Sequence, residues 1–390
     1  MSSTNRQTIS DVPCITTSEL FDMGKPPVIM TGTSGSGKTF MLIDAVYEVA
    51  ERATKIIIVT DSYETKENAY LRQHIPKAIV REFNIKNILE IWNNIITTQD
   101  FYSSNTQPAI IDAFVRKHAV NRPGFSQMHA NIHNMKNQLA EIWQGDKRKD
   151  FEAACETLLV DANIKFIANN FWEGYPGLTE QDKMIVRACR STKPFPVIFF
   201  DDVTARLTAL KAIKDKVSVP IINEGITEHV EMSQTDATTQ LFIDMMTRGR
   251  QYCVIAFFIH NFSTFASHIR QLVGPVVIST QQEAAEFARI RTFSSSAKQR
   301  VHPLYTTVRQ EDEHNKLVFF PNLAFSPTDT EFAYIKAKPH PIPSPLGCRT
   351  YKTLLTELMR KIEEYKKTSA DHQVYEQQQQ HRSAIMSEFV

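Results

Sequence analysis

The sequence predicts an α/β fold with a mostly parallel central sheet and one large, mainly helical insertion. Three short runs of β-branched and apolar residues, at 28–31, 55–60 and 196–200, have the length and composition of strands buried on both faces. Helical patterns alternate with these runs. Strands that alternate with helices pair in parallel, with helices covering both faces of the sheet, so the order of elements predicts one such sheet.

The remaining core elements follow the same alternation. Leu42, Ala45, Val46 and Val49 recur at the spacing of one helix face, which predicts a helix over 40–53. Further strands are predicted at 252–259 and 275–279, and further helices at 205–216 and 238–247. In the stretch 316–338, apolar and polar residues alternate and the pattern breaks at Pro321 and Pro327, which is typical of a hairpin or of edge strands.

Five parts make up the predicted domain organisation. Between the second and third strands lies a long stretch with weak strand signal and several helical patterns, and a proline-rich run follows the last strand. The parts are an N-terminal extension (1–25), an α/β core (26–62 and 193–338), a mainly helical insertion (63–192), a linker with a C-terminal helix (339–367) and a disordered tail (368–390).

Composition excludes several classes of protein. The 390 residues carry 44 Lys and Arg against 43 Asp and Glu, a net charge of +1, with 42% hydrophobic and 22% charged residues. These values are those of an ordinary globular chain and not of a disordered, collagen-like or coiled-coil one. Five scattered cysteines indicate a reducing compartment and no disulfide framework. No apolar run reaches the roughly 18 residues that a membrane span requires.

A glycine-rich loop between the first strand and the first core helix predicts a phosphate site. Its eight residues match the pattern G-x-x-x-x-G-K-[ST] and are Gly32, Thr33, Ser34, Gly35, Ser36, Gly37, Lys38 and Thr39. In such a loop the backbone N–H groups surround an anion and the following helix adds its partial positive charge. Lys38 can then reach the β- and γ-phosphates of ATP, and the Thr39 hydroxyl can bind Mg²⁺.

Two adjacent carboxylates end the strand at 196–200. Nucleotides bind at the carboxyl edge of an open α/β sheet, which is where Asp201 and Asp202 are expected. Asp201 fits the role of a Mg²⁺ ligand, and Asp202 fits that of the group that orients or deprotonates the attacking water.

A third block joins a basic pair to the strand at 252–259. Arg248 and Arg250 precede the strand, and His260 and Asn261 follow it. We expect Arg250 near the nucleotide edge of the sheet, where it could act as an arginine finger on a neighbouring subunit. A polar group at the strand tip, Asn261, could sense the γ-phosphate. The alternative is two solvated arginines and an asparagine that caps the strand.

Together, these blocks resemble the FtsK–HerA superfamily of P-loop ATPases, and within it the genome-packaging ATPases of large double-stranded DNA viruses of the poxvirus type. The segments that carry the resemblance are VIMTGTSGSGKT (28–39), VIFFDDV (197–203) and RGRQYCVIAFFIHN (248–261). The resemblance implies a RecA/FtsK-like core, Walker A roles for Lys38 and Thr39 and Walker B roles for Asp201 and Asp202. It also implies a finger at Arg250 and a sensor at Asn261, where the family usually has glutamine.

The function that the resemblance implies is ATP-driven translocation of double-stranded DNA into a viral capsid. It implies ATP and Mg²⁺ as cofactors, a homo-oligomeric ring of five or six subunits, and docking to capsid or portal-vertex proteins. The corresponding location is the virus factory in the host cytoplasm, together with the virion.

Local charge is compatible with a DNA track. Residues 245–310 carry eight basic and two acidic residues, a local charge of +6 in a chain of net charge +1. Within this stretch, 292–300 could form a pore loop, and a solvated basic surface is the alternative.

Two other functions remain open from the sequence. A nucleoside or small-molecule kinase shares the phosphate loop but needs a lid and an acceptor pocket, and a non-translocating NTP-binding switch would show slow turnover without DNA stimulation.

Overall fold

The computed structural model describes residues 13–33, 35–61, 65–75, 77–122, 124–140, 146–223, 226–262, 269, 272, 274–280, 284–285, 301, 303–306, 315–320 and 331–336. The chain divides into two units by its internal contacts. The first contains residues 1–63 and 75–339, and the second contains 64–74 and 340–390. The predicted linker, C-terminal helix and tail lie outside the described residues, as do residues 1–12 of the predicted extension.

Strands in the described part of the chain form one large sheet and one hairpin. They are β1 (Cys14–Ile15), β2 (Val28–Thr31), β3 (Lys55–Thr60), β4 (Ala78–Glu82), β5 (Pro196–Asp201), β6 (Lys216–Asn223), β7 (Ile226–Ser233), β8 (Val254–Ile259), β9 (Val276–Ile278), β10 (Asn315–Phe320) and β11 (Glu331–Lys336). The nine-stranded sheet has the order β1-β11-β10-β9-β2-β8-β5-β3-β4. From β9 to β4 all neighbours are parallel. The predicted α/β class with a mostly parallel sheet is therefore confirmed.

Helices alternate with the strands along the chain, and five of them, α4 to α8, fill the segment between β4 and β5. They are α1 (Thr17–Leu20), α2 (Lys38–Ala50), α3 (Lys66–His74), α4 (Ile85–Asn105), α5 (Pro108–His118), α6 (Phe125–Ala140), α7 (Asp146–Asn170), α8 (Glu180–Arg190), α9 (Thr204–Leu210) and α10 (Gln234–Tyr252). Helix α3 belongs to the second unit. None of the helices in the described ranges is long and apolar enough to cross a membrane.

Aromatic packing holds the middle of the sheet against α10. Phe200 of β5 and Phe257 of β8 stack with 4.6 Å between ring centroids, and Phe242 of α10 meets both edge-on at 5.3 Å. All three side chains are fully buried. Offset and edge-on aromatic pairs stabilise beyond the area that they bury. The pairing of β5 with β8 is thus supported from one face by a rigid aromatic layer.

Strand β4 and the region of the hairpin β6–β7 differ from the sequence prediction. Strand β4, within the segment predicted as a helical insertion, pairs in parallel with β3 and extends the main sheet. Its five residues end in Arg81 and Glu82, so it lacks the apolar run that marks the other core strands. The hairpin β6–β7 also differs, because no strand was predicted over 216–233, and its first residue, Lys216, was expected to end a helix. Helix α9 ends at Leu210, and residues 216–223 instead pair with β7.

A second apolar core holds the helices that follow α4. Ile111, Phe114 and Val115 of α5 pack with residues of α7 and α8, including Ile167 and Ile185. Phe171, just after α7, meets Phe114 edge-on at 5.2 Å. This core is separate from the cluster under the sheet, so these helices are stabilised by their own apolar contacts.

Asp182 fixes the start of α8. Thr179 and Asp182 form a capping box, in which the Thr179 N–H donates to Asp182 Oδ2 at 2.9 Å and Asp182 N–H donates to Thr179 Oγ1 at 3.2 Å. The Lys117 ammonium of α5 lies 2.8 Å from the same carboxylate oxygen. Burial acts to raise the pKa of Asp182, but the hydrogen bonds from Lys117 and Thr179 outweigh it and lower the pKa well below the ordinary value.

We expect Asp182→Asn to destabilise the protein by about 1–2 kcal/mol near neutral pH, because the cap and the ion pair both need a carboxylate. A lowered folded-state pKa stabilises the fold above the unfolded-state pKa of about 4, and this stabilisation is lost as the pH falls towards the folded-state value. The stability difference between wild type and variant should therefore shrink below about pH 4. Thermal unfolding at a series of pH values measures it.

Asp112→Asn is the matched control, because its pair with Arg116 is exposed on one helix. It should cost less than about 0.5 kcal/mol. A difference between wild type and Asp182→Asn that stays constant down to pH 2 would contradict the assignment.

Candidate nucleotide site

The glycine-rich loop leaves β2 at Thr31 and enters α2 at Lys38, at the carboxyl edge of the parallel strands. The Gly32 N–H donates to the Ile259 carbonyl of β8 at 3.2 Å, which ties the loop to the neighbouring strand. A Cβ atom on Gly32 would lie 2.8 Å from Ser36 Cβ and 2.9 Å from Ser279 Cβ. Only glycine fits there, and its lack of a side chain lets Ser36 lie close to the first residue of the loop.

Gly37 closes the loop and starts the helix. Its φ of 87° lies in the left-handed region, and as the N-cap residue it offers no side chain to the helix. The first intrahelical bond of the turn is Met41 N–H to Gly37 O at 3.0 Å. The N–H groups of the residues between them have no acceptor within the helix. They point towards the loop together with the positive end of the helix dipole, which favours a bound anion.

Lys38 reaches back over the loop from the first turn of α2. Its side chain is 8% exposed, and Nζ donates to Gly32 O at 2.6 Å and to Thr33 O at 3.0 Å. Thr39 follows it and is exposed. Ser36 Oγ is buried, with no hydrogen-bond partner among the described residues. Such a buried hydroxyl is suited to a phosphate oxygen. Of the eight predicted loop residues, Ser34 alone lies outside the described part.

Asp201 and Asp202 end β5 at the same edge, as predicted. The Thr60 hydroxyl of β3 donates to Asp201 Oδ2 at 3.5 Å. Asp202 has a φ of 49°, the left-handed region that non-glycine residues rarely adopt, and its N–H donates to Phe258 O at 2.9 Å. The chain therefore turns sharply at Asp202 and is held to β8 there, which aims the second carboxylate away from the line of the strand.

His260 lies between the loop lysine and the second acid. Its Nδ1 is 3.2 Å from Lys38 Nζ, and its Nε2 is 2.8 Å from Asp202 Oδ1. The second contact has the length of an ion pair, but its alignment is not that of a hydrogen bond, since Asp202 Oδ1 has no hydrogen-bond partner among the described residues. Side-chain contacts thus link Lys38, His260 and Asp202.

Asn261 is the polar group that the sequence predicts for this strand tip, and His260 has no predicted role. Asn261 is the next residue and is half-buried. The signal that could have found His260 is its place directly after β8, since the carboxyl ends of parallel strands meet at one edge.

Arg250 lies at the opposite edge, and the expectation that it would be near the nucleotide edge is wrong. It is in the last turn of α10, before β8 begins, and its carbonyl accepts from Gly24 N–H, which precedes β2. A residue before a parallel strand lies at the amino edge, and six residues of β8 span about 20 Å. The side chain of Arg250 is exposed. Arg250 therefore does not complete the site of its own chain.

Arg248 has contacts within its own chain. Its guanidinium lies 3.1 Å from Asp244 Oδ1 and 5.6 Å from the centre of the Tyr252 ring. Asp244 also accepts from Trp92 Nε1 of α4 at 2.7 Å. These contacts give Arg248 a role in joining α10 to α4.

A second lysine reaches the loop from the far side of β2. Lys316 of β10 donates from Nζ to Ser36 O at 2.7 Å, and its side chain is 5% exposed. No sequence pattern predicts this contact, because 280 residues separate the two partners.

The residues present fit a Mg²⁺–nucleotide better than a metal held by protein alone. Across the part of the chain that the structure describes, no group of three or more His, Cys, Asp or Glu side chains could hold a metal ion. Mg²⁺ at nucleotide sites commonly has one or two protein ligands plus phosphates and waters. Thr39 and Asp201 are the groups in this site with that chemistry.

Comparisons with known proteins give similar solved structures only. No family model and no curated protein matches the chain. The conjugation coupling protein TcpA with ATPγS is 9% identical, with a TM-score of 0.34, over 81% of this chain and 62% of that one. EssC (ATPases 2 and 3) from Geobacillus thermodenitrificans is 10% identical, with a TM-score of 0.36, over 88% of this chain and 44% of that one.

The plasmid coupling protein TrwB with the GTP analogue GDPNP is 9% identical, with a TM-score of 0.33, over 85% of this chain and 91% of that one. The chain thus spans less than two thirds of the TcpA and EssC chains that it matches. At these TM-scores the matches establish neither the family nor the activity of this chain.

The two strand-end acids should have different roles. Asp202→Asn should keep the fold, because asparagine tolerates the left-handed region, and should bind Mg²⁺–ATP but hydrolyse it poorly. Asp201→Asn should weaken the Mg²⁺-dependent part of ATP binding. Calorimetric titration of ATP with and without Mg²⁺, together with a phosphate-release assay, measures both.

Asp215→Asn, at an exposed position just before β6, is the control and should behave as wild type. Identical behaviour of the Asp201 and Asp202 variants would show that this division of roles is wrong.

Proposed function

We propose that this chain is a Mg²⁺-dependent ATPase that drives double-stranded DNA through a ring of subunits, and that it packages a viral genome. The observation that carries the proposal is the contact chain from Lys38 through His260 to Asp202 at the carboxyl edge of the sheet. A phosphate-loop lysine and a strand-end acid in one site are the two groups that hydrolysis of a γ-phosphate requires. The FtsK–HerA superfamily is the proposed affiliation.

In this proposal the loop binds the nucleotide. The loop N–H groups and the amino end of α2 surround the phosphates, and Lys38 leaves the carbonyls of Gly32 and Thr33 to contact the β- and γ-phosphates. Thr39 and Asp201 hold Mg²⁺, which when bound neutralises the charge that develops on the phosphates.

Asp202 orients or deprotonates the water, and His260 keeps its carboxylate in place. A small rotation would align His260 Nε2–H with Asp202 Oδ1, with Nδ1 left to accept from Lys38. Through this pair of contacts, movement of Lys38 on nucleotide binding would reach Asp202. Asn261, beside His260, is the proposed sensor of the γ-phosphate.

The ring supplies the remaining cation. Because Arg250 is exposed about 20 Å from its own loop, it can act only on a neighbouring subunit. A head-to-tail ring of five or six copies, in which the amino edge of one sheet faces the nucleotide edge of the next, would bring it there.

DNA contacts are proposed for the basic stretch 245–310. Of its basic residues, the structure describes Arg248 and Arg250, and the candidate pore loop at 292–300 lies outside the described residues. Capsid or portal-vertex proteins are the proposed docking partners, and the virus factory of the host cytoplasm and the virion are the proposed locations.

ATP hydrolysis with and without double-stranded DNA tests the function. The wild type should hydrolyse ATP faster when DNA of any sequence is added, with a stimulation that weakens as salt rises. Lys38→Ala should abolish hydrolysis and keep the unfolding temperature, since the hydrogen bonds of Nζ to Gly32 and Thr33 are confined to the loop.

Transfer of the γ-phosphate to a small acceptor, with no DNA effect, would instead favour a kinase. Slow turnover that DNA does not change would favour an NTP-binding switch.

Mixing two inactive variants tests the action of Arg250 on a neighbouring subunit. Arg250→Ala should bind ATP nearly as wild type and hydrolyse it at least about 10³-fold more slowly, since a missing finger removes charge only in the transition state. Mixed with Lys38→Ala, it should regain part of the activity, because some interfaces then join an intact loop to an intact Arg250.

Arg248→Ala is the neighbouring control. It loses the contacts with Asp244 and Tyr252, so it should lower the unfolding temperature and leave hydrolysis near wild type. No recovery in mixtures that demonstrably co-assemble, or full activity of a strictly monomeric protein, would overturn the proposed action between subunits.

A further inference from the structure

Lys316 occupies a place in the sheet that faces the phosphate loop. Strand β10 runs antiparallel to β9, with Leu317 opposite Ile278, and β9 runs parallel to β2. The amino end of β10 therefore lies at the same edge as the carboxyl ends of β9 and β2. Lys316 is the second residue of β10, directly at that edge.

Its ammonium is held against the last residues of the loop. Lys316 Nζ donates to the carbonyl oxygen of Ser36 at 2.7 Å. A Cβ built on Gly37 would lie 3.5 Å from Nζ and 3.8 Å from Cε, so the lysine passes directly over the residue that starts α2. The ammonium is thus beside the helix end to which the phosphates are expected to bind.

The ammonium of Lys316 is buried beside the loop. The side chain of Lys316 is 5% exposed, and a buried ammonium is stabilised by partners that carry negative charge more than by carbonyl dipoles. A phosphate oxygen beside Ser36 would therefore hold the ammonium more strongly than the carbonyl oxygen that it contacts there.

The two lysines approach the loop from opposite neighbours of β2. Lys38 lies on the side of β8, where it contacts His260, and Lys316 lies on the side of β9 and β10. A triphosphate in the loop would lie between them.

We propose that Lys316 is a second phosphate-binding residue, which contacts the polyphosphate of the nucleotide from the side of the loop opposite Lys38. The proposal rests on the nucleotide site of the proposed function. Because the ammonium already lies at Ser36 and Gly37, a movement of the side chain alone exchanges a carbonyl acceptor for a phosphate oxygen. The charge-assisted hydrogen bond that results is the stronger of the two.

Binding of Mg²⁺–ATP and of tripolyphosphate to Lys316→Met tests the role. Loss of one charge-assisted contact should weaken both ligands about tenfold or more. The dependence of log Kd on log salt should also become flatter, since one cation fewer contacts the phosphates. Methionine keeps the volume of the side chain, and the unfolding temperature of the nucleotide-free protein, measured alongside, reports what the lost hydrogen bond to Ser36 contributes to the fold.

Lys55→Met is the matched control. Lys55 also lies at the end of a strand of the same sheet, but at its amino edge, and it is exposed. Its affinities and salt dependence should equal those of wild type. A Lys316→Met variant with wild-type affinity overturns the role, and so does a weaker affinity with an unchanged salt dependence, which would mean that Lys316 only shapes the loop.

The failure of this role can be told apart from the failure of the proposed function. Binding that depends on Lys316 in a protein without DNA-stimulated hydrolysis would support the phosphate role and contradict the motor. DNA-stimulated hydrolysis with binding that ignores Lys316 would do the reverse. A wild type that binds neither Mg²⁺–ATP nor tripolyphosphate would overturn both.

Discussion

The parallel pairing of β2, β8 and β5 determines where every group of the candidate site lies. Because all three strands run the same way, their carboxyl ends meet at one edge and deliver the loop, His260 and the two acids together. The same pairing moves whatever precedes a strand to the far edge, which is where Arg250 lies. The parallel pairing therefore brings the phosphate-binding groups together at one edge of the sheet and leaves Arg250 at the other. In the proposed ring of identical subunits, Arg250 of one subunit would face the nucleotide edge of the next.

The site is built on rigid supports. Beneath Asp201 and Asp202, the stacked rings of Phe200 and Phe257 pack against Phe242. Strand β5, which carries the acids, and strand β8, which precedes His260, therefore cannot shift independently without breaking aromatic contacts. The backbone at Asp202 adds a strained turn that is held by a hydrogen bond to Phe258. The histidine contact between Lys38 and Asp202 is a side-chain contact and can change while the strands stay in place.

Sequence patterns predicted those parts of the site that are encoded locally. Two local patterns each predict the geometry of their own segment, because each joins a buried strand directly to a turn. They are the glycine spacing of residues 32–39 and the apolar run before Asp201. Contacts that depend on the order of the strands in the sheet could not be predicted from such local patterns. His260 meets Lys38 across 222 residues and Lys316 meets Ser36 across 280, and both follow from which strand lies beside β2. The prediction for Arg250 is wrong because nearness in sequence to a core strand does not tell at which end of that strand a residue lies. Strand β4 was missed because Arg81 and Glu82 interrupt its apolar pattern. The helix predicted over 205–216 ends early, at Leu210, and Lys216 is already the first residue of the hairpin β6–β7.

The contact between Lys316 and Ser36 also has a consequence for the order of events on the ribosome. At about 5–20 residues per second, the ribosome needs on the order of tens of seconds to add the 280 residues that separate the two partners. During that time β2, the loop and α2 are already made, but the strand that brings the second lysine is still missing. The phosphate loop of a nascent chain would therefore lack the ammonium of Lys316 until β10 has been made and has paired with the sheet. Late completion of this kind would keep a half-made subunit from retaining nucleotide as firmly as a finished one.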